Sequence, residues 1–294
     1  MEWEGEEMLD SRIKSYIKLL LKKEICSVKF IVLILFMITL CGMVYYGLPS
    51  YLANSIECIG FWEIFACFLG SQNTKLFYMT GVVYLLGGIP YSGNDISLYI
   101  IRGNKEQWVT ANLLTIVIET LIYYISLALI NVCMCIQGIT FRNEWTALFK
   151  NMQGSELGEK IYSWLDIYVD ASRFGKIEPM VLCLIIVIVA VLSSIILGLI
   201  IFLCSMCQNR RVGIIFCFVL IIGGLFDSGL KGLGWYQYVQ NINVVSYANQ
   251  YWSGKESILG QSIYMKGTVI VFFIVGLIRW IYKLIKQKDW VVEI

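Results

Sequence analysis

The chain has 294 residues, of which 58% are hydrophobic and only 15% charged, with a net charge of +2 and no histidine. Soluble domains carry about 25% charged residues, so a soluble domain is not expected, and nucleic-acid binding lacks its usual basic footprint. Without histidine there is no Ser-His-Asp or Cys-His catalysis and no HExxH zinc site. No GxxxxGK[ST] loop is present to cradle ATP phosphates. No catalytic residue, metal site or cofactor is therefore expected on this chain.

Residues 1–29 form a tail with a helical pattern. Ile13, Ile17, Leu20, Leu21 and Ile25 recur at helical spacing, while Lys14, Lys18 and Lys22 make an i, i+4 row on another face. That predicts a basic amphipathic helix lying in the headgroup region of a membrane, followed by a bend. Six apolar runs then succeed one another at about 30–48, 76–91, 108–136, 180–207, 212–229 and 267–284. A bilayer core needs about 20 helical residues. The third and fourth runs are longer and should tilt or emerge into water. The second and fifth need polar flanks to complete a span. The first is read as an anchor that stays, since it is too long for a signal h-region. The expected fold is an all-α polytopic membrane protein with six spans and outer segments 49–75, 137–179 and 230–266.

Charge placement predicts the orientation. Of 23 basic residues, 14 fall in short segments: the N-terminal tail, Arg102 and Lys105, the turn Asn209-Arg210-Arg211, and the C-terminus. The other nine are spread over the three long segments. Short and basic segments stay in the cytoplasm, so both termini are expected inside, in a bacterial plasma membrane. The segment 137–179, with Trp145, Phe149, Trp164 and Tyr168, should form short helices capping the outer face. The segment ending at Lys266, with Trp235, Tyr247, Tyr251 and Trp252, should dip back toward the bilayer interface, where such aromatics accumulate. The ten cysteines suggest no disulfide framework. Most lie in apolar runs as small hydrophobes, and Cys204-Ser-Met-Cys207 lacks a second pair to complete a zinc site.

One ionisable residue stands inside a run. Glu119 lies near the middle of the third, and a carboxylate there is costly and functional by default. It could line a translocation path or titrate; equally, it could stay protonated or bond a hydroxyl such as Ser193, Ser194 or Thr115. Asn131, Ser193 and Ser194 are also polar within runs and are path candidates, although such residues commonly bond one helix to another. An ion-coupled carrier or channel working through Glu119 is one reading of this pattern. An intramembrane enzyme or an assembly factor is another, disfavoured by the missing histidine and paired acids.

The stretch between the second and third runs passes from Pro90 through a polar segment to a basic turn and Trp108. Its Arg102, Gly103, Lys105 and Trp108 are similar to a sequence carried at that loop by membrane subunits of ABC-2 type transporters, with Asn104 departing from the usual small hydroxyl or basic residue. The amphipathic helix, six spans and inside termini resemble the same family. The resemblance implies a type V exporter-like architecture and a separate nucleotide-binding ATPase that holds ATP and Mg. That ATPase would dock on a loop holding Asp95, Arg102, Gly103, Asn104, Lys105, Glu106 and Trp108. It further implies a second permease copy or a related permease, and export of a peptide, antibiotic or lipid-like substrate, as in antibiotic or bacteriocin resistance.

Overall fold

A computed structural model describes residues 2–54, 57–90, 105–152, 177–207, 209–224, 243–253 and 263–287. They are mostly helical. In chain order the elements are α1 (Glu2–Ile25), α2 (Val28–Val44), α3 (Leu48–Asn54), β1 (Ile59–Gly60), α4 (Phe61–Gly70), α5 (Gln72–Leu86), α6 (Lys105–Met134), β2 (Ile139–Thr140), α7 (Ala147–Met152), α8 (Pro179–Met206), α9 (Arg210–Gly223), a 3-10 turn (Val244–Ser246), α10 (Tyr247–Ser253) and α11 (Ile263–Gln287). Three helices, at Lys105–Met134, Pro179–Met206 and Lys266–Gln287, are long and apolar enough to cross a membrane. The pair Ile13–Ile25 and Val28–Val44, bent by 58°, makes a fourth if counted as one span.

The bend falls where the sequence places a break, and local chemistry explains it. Ser27 caps α2, its hydroxyl accepting from the Phe30 N–H at 3.1 Å and donating to the Glu24 carbonyl at 2.5 Å. A serine oxygen at the N-cap satisfies an otherwise orphaned amide and starts a new helix. Glu24 pairs with Lys29 across the break.

Long-range bonds sort the helix ends into two groups. At one end, Lys29 donates to the Leu85 carbonyl at 2.6 Å, Ser205 to the Ile89 carbonyl at 3.2 Å, the Thr110 and Tyr282 hydroxyls share a bond at 2.8 Å, and Lys286 lies 4.0 Å from Glu106. At the other end, Tyr45 donates to Asn131, Asn249 to Gly70, Lys75 to Gly224 and Asn243 to Leu220. Helices α2, α5, α6, α8, α9 and α11 therefore alternate in direction, matching the order of the six apolar runs. Three of them are shorter than a full span: α2 has 17 residues, α5 has 15 and α9 has 14. Helix α5 starts four residues ahead of its apolar run, because Ser71 breaks it from α4. It ends at Leu86, before Gly87.

Helix α8 is the axis of the bundle, packing against α4, α6, α9, α10 and α11. Small residues let its neighbours approach, as is usual between membrane helices. A Cβ on Gly213 of α9 would sit 2.8 Å from the Cys204 Cβ and 3.2 Å from the Ile201 Cα, and one on Gly198 would sit 2.7 Å from an Ile116 methyl carbon. The outer surfaces are apolar in continuous stripes. On α6 these are Leu114, Leu121, Ile125 and Leu129, and on α9 Val212, Ile215, Phe216, Val219 and Ile222. Bare stripes of this extent are a liability in water and the ordinary surface of a protein in hydrocarbon.

The second group of ends carries a cap. β1 and β2 pair in parallel, Ile59 with Ile139 and Gly60 with Thr140. Helix α10 packs on α4 and α8. Of the segment 137–179, where short helices are expected, the described residues hold one, α7; the short helices α3 and α4 stand in the segment 49–75, for which none is expected. The aromatics differ from expectation. Tyr247 and Trp252 are buried in the core instead of sitting at an interface, because Trp252 lies against Gly70 and meets the Phe149 ring edge-on at 6.1 Å. Trp164, Tyr168 and Trp235 lie outside the described residues.

Gly213→Leu should force α8 and α9 apart and cost about 1–3 kcal/mol, the usual range for overpacking. Gly42→Ala, where a Cβ meets nothing within 4 Å, should be neutral or slightly stabilising because alanine is the better helix former. Thermal unfolding of both variants in one detergent measures the difference.

Candidate functional site

Polar residues run along the buried face of α6: Asn112, Thr115, Glu119, Thr120, Tyr123, Tyr124 and Asn131. Glu119, the ionisable residue within the third apolar run, is 2% exposed and faces the bundle. Thr115 and Thr120 turn back to the carbonyls of Ala111 and Ile116. Tyr123 crosses to α5, donating to the Tyr78 carbonyl at 2.7 Å, over Gly81, where a Cβ would lie 2.5 Å from the hydroxyl.

The four predicted path residues do not form one cluster. Ser194 and Tyr124 share a bond at 2.9 Å, and Ser194 donates to the Met79 sulfur at 3.7 Å, so α5, α6 and α8 meet there. The adjacent Ser193 points elsewhere and donates to the Val244 carbonyl at 2.8 Å. Asn131 accepts from Tyr45 at 2.5 Å and donates to the Leu127 carbonyl at 2.8 Å. It lies twelve residues beyond Glu119 on the same helix, about 18 Å at 1.5 Å per residue. Each of these three joins one element to another, and in hydrocarbon such bonds contribute about 0.6–2 kcal/mol.

Of the predicted docking loop, Asp95, Arg102, Gly103 and Asn104 lie outside the described residues. Lys105 and Glu106 are exposed at the start of α6. Trp108 packs against Phe202, ring centroids 5.9 Å apart, and against a small cluster of Tyr16, Leu20 and Ala111 that seats α1 on the base of α6. The apolar face of α1 is thus divided: Ile13, Ile17 and Leu20 meet protein, whereas Ile25 stays exposed.

Three buried charges escaped the sequence reading because they stood in segments read as outer. Lys75, fully buried, donates to the Gly224 carbonyl at 2.8 Å. With Asn243 donating to Leu220, it caps the C-terminal carbonyls of α9, where a cation complements the helix dipole. Lys266 donates to Gln250 at 2.6 Å and lies 5.6 and 5.1 Å from the Tyr247 and Tyr251 ring centroids. Glu63 ties the cap together, accepting from the Gly60 N–H at 2.9 Å, from the Thr146 hydroxyl at 2.7 Å and from the Thr146 N–H. A signal for it existed: Glu63 is the lone charge in the apolar stretch 59–70.

Burial pushes the Glu63 carboxyl above its ordinary range, against the opposing pull of its three bonds and of Lys150. A carboxyl with a raised folded-state value binds its proton more tightly folded than unfolded. Its stabilising share is complete below the ordinary carboxylate range and is lost as pH rises through the raised value.

No protein-family model matches the chain. No curated protein matches it, and no solved structure does.

Glu63→Gln should remove this share of the pH dependence. The wild-type melting temperature should fall relative to the variant as pH rises from acidic to neutral. At neutral pH the variant should also lose about 1–3 kcal/mol through an unmade bond to Thr146 or Gly60. Melting curves at several pH values check both.

Proposed function

We propose that this chain is the membrane-spanning permease subunit of an ATP-driven ABC-2 type transporter, with ATP hydrolysed by a separate nucleotide-binding subunit. The observation that supports the reading is that the end of α5 and the start of α6 stand together at the basic end of the bundle. Past α5 the Ile89 carbonyl accepts from Ser205, and α6 begins at the exposed Lys105 and Glu106. Helix α1 sits on α6 one turn further along, through Tyr16, Leu20 and Ala111. Arg210 and Arg211 are exposed at the same end. Retention of basic segments on the cytoplasmic side turns this end toward a soluble partner.

In this reading six antiparallel helices cross the bilayer and both termini are cytoplasmic. The shorter α2, α5 and α9 complete their spans with flanking residues and local thinning of the bilayer, which costs only fractions of a kcal/mol per Å. The permease pairs with a second copy or a related permease. ATP, with Mg, draws two ATPase subunits together, and each pulls on the 91–104 segment of its permease. Helix α6 cannot move alone. Its base is joined to α1 by apolar packing and to α11 by Thr110–Tyr282 and Glu106–Lys286. Its far end holds α2 through Asn131–Tyr45. A pull at Lys105 therefore reaches the outer end as a rocking of helices, which opens a path for a peptide, antibiotic or lipid-like substrate.

Burial of Glu119 supports a second reading, an ion-coupled carrier in which that carboxyl gains and loses a proton. Nucleotide separates the two.

Purified from its host membrane in mild detergent, the chain should bring down a stoichiometric soluble ATPase with vanadate-sensitive activity. Replacing Arg102, Lys105 and Glu106 together with alanine should uncouple transport without changing the melting temperature; an intact complex with normal transport would sink the docking assignment. Glu119→Gln should leave ATP-driven transport within a fewfold of wild type. Its abolition of transport that runs without ATP would favour the carrier.

A further inference from the structure

We infer that the lysine row of α1 is a binding surface for anionic lipid headgroups of the cytoplasmic leaflet. The inference rests on the cytoplasmic placement of the basic end, which the transporter reading also uses, and on no contact with an ATPase.

The seat of α1 on α6 determines which way its other faces look. Tyr16, Leu20 and Glu24 are buried and follow one another at four-residue spacing. Lys14, Lys18 and Lys22 are all exposed and follow the same spacing. At 100° per residue the centres of the two rows are about 160° apart. The lysines therefore point directly away from the bundle. With this end at the cytoplasmic surface, as the transporter reading has it, a face turned away from the bundle meets the headgroup layer.

The surroundings of the row suit lipid. Leu19, Ile25 and Val28 are exposed beside it, and Val28 leads into the bare stripe Ile31, Val32 and Leu35 of α2. Apolar surface thus continues from the hydrocarbon-facing helix up to the lysines. Long lysine side chains can lie along it with their ammonium groups at phosphate level. From Ser11 to Lys23 the sequence contains no acid, while the residues before it include Glu2, Glu4, Glu6, Glu7 and Asp10. The sign of charge therefore changes along α1, and the basic half is the one joined to α2. Glu24, the nearest acid on the other side, is turned inward and paired with Lys29.

The test uses the full chain in neutral detergent, equilibrated with equal amounts of phosphatidylglycerol and phosphatidylcholine, with retained lipid counted by native mass spectrometry. The wild type should retain phosphatidylglycerol preferentially, and less of it as salt rises. At about fivefold per lysine near an anionic surface, K14Q/K18Q/K22Q should weaken that retention by roughly a hundredfold, with elution and melting unchanged. K14R/K18R/K22R should keep it. Equal retention of both lipids by the wild type, or undiminished preference in the glutamine variant, overturns the inference. Competition by millimolar inorganic phosphate would mark a general anion site and overturn the assignment to lipid. No ATPase is present in the assay. A failure here leaves the transporter reading standing, and a chain that retains phosphatidylglycerol while purifying without an ATPase refutes that reading alone.

Discussion

Hydrocarbon offers no hydrogen-bond partner, so every polar group carried into it must be satisfied by the protein itself. That constraint organises the molecule. Backbone groups meet it through helices. Polar side chains meet it by bonding from one helix to the next, and those bonds decide which helices touch. Tyr124 reaches Ser194, Tyr123 reaches the Tyr78 carbonyl, Ser193 reaches Val244, and Asn131 holds Tyr45. The glycines at 81 and 198 let α5, α6 and α8 approach closely beside those bonds, and Gly213 does the same for α8 and α9.

The two ends of the bundle solve different problems. At the capped end, buried charge stitches loops together. Glu63 gathers Gly60 and Thr146, and Lys75 and Asn243 finish α9. Leaving such a group without a partner is strongly destabilising, which gives this end reason to be rigid. At the basic end some of the described contacts are more exposed. Glu106 and Lys286 are a surface pair at 4.0 Å, of the kind that contributes little, and α1 is held by a small apolar cluster. An end built this way is less firmly tied than the capped one.

Much of the architecture was legible in the chain because apolar runs and lysine placement are local signals. A bend between the N-terminal helix and the first run, and the order of the long helices, follow from them. The capping elements were not legible. Helix α4 is 10 residues long, too short for a span, and its eight apolar residues carry no period that separates a buried helix from a strand. Tyr247 and Trp252 have the composition of an interfacial belt, and only the space beside Gly70 makes Trp252 a core residue.

By itself the sequence determined that the chain is helical and apolar, where its long helices run, and that its basic residues gather in the short connections. These depend on a few neighbouring residues and on the energetics of transfer from water. Only the tertiary structure decided which polar residues meet, that the predicted path residues are spread across the bundle, that Lys75 and Glu63 are buried, and which way the lysines of α1 face. Those outcomes depend on residues as far apart in the chain as Lys75 and Gly224. A hydrogen bond is specified by both of its partners, and no local pattern records the second.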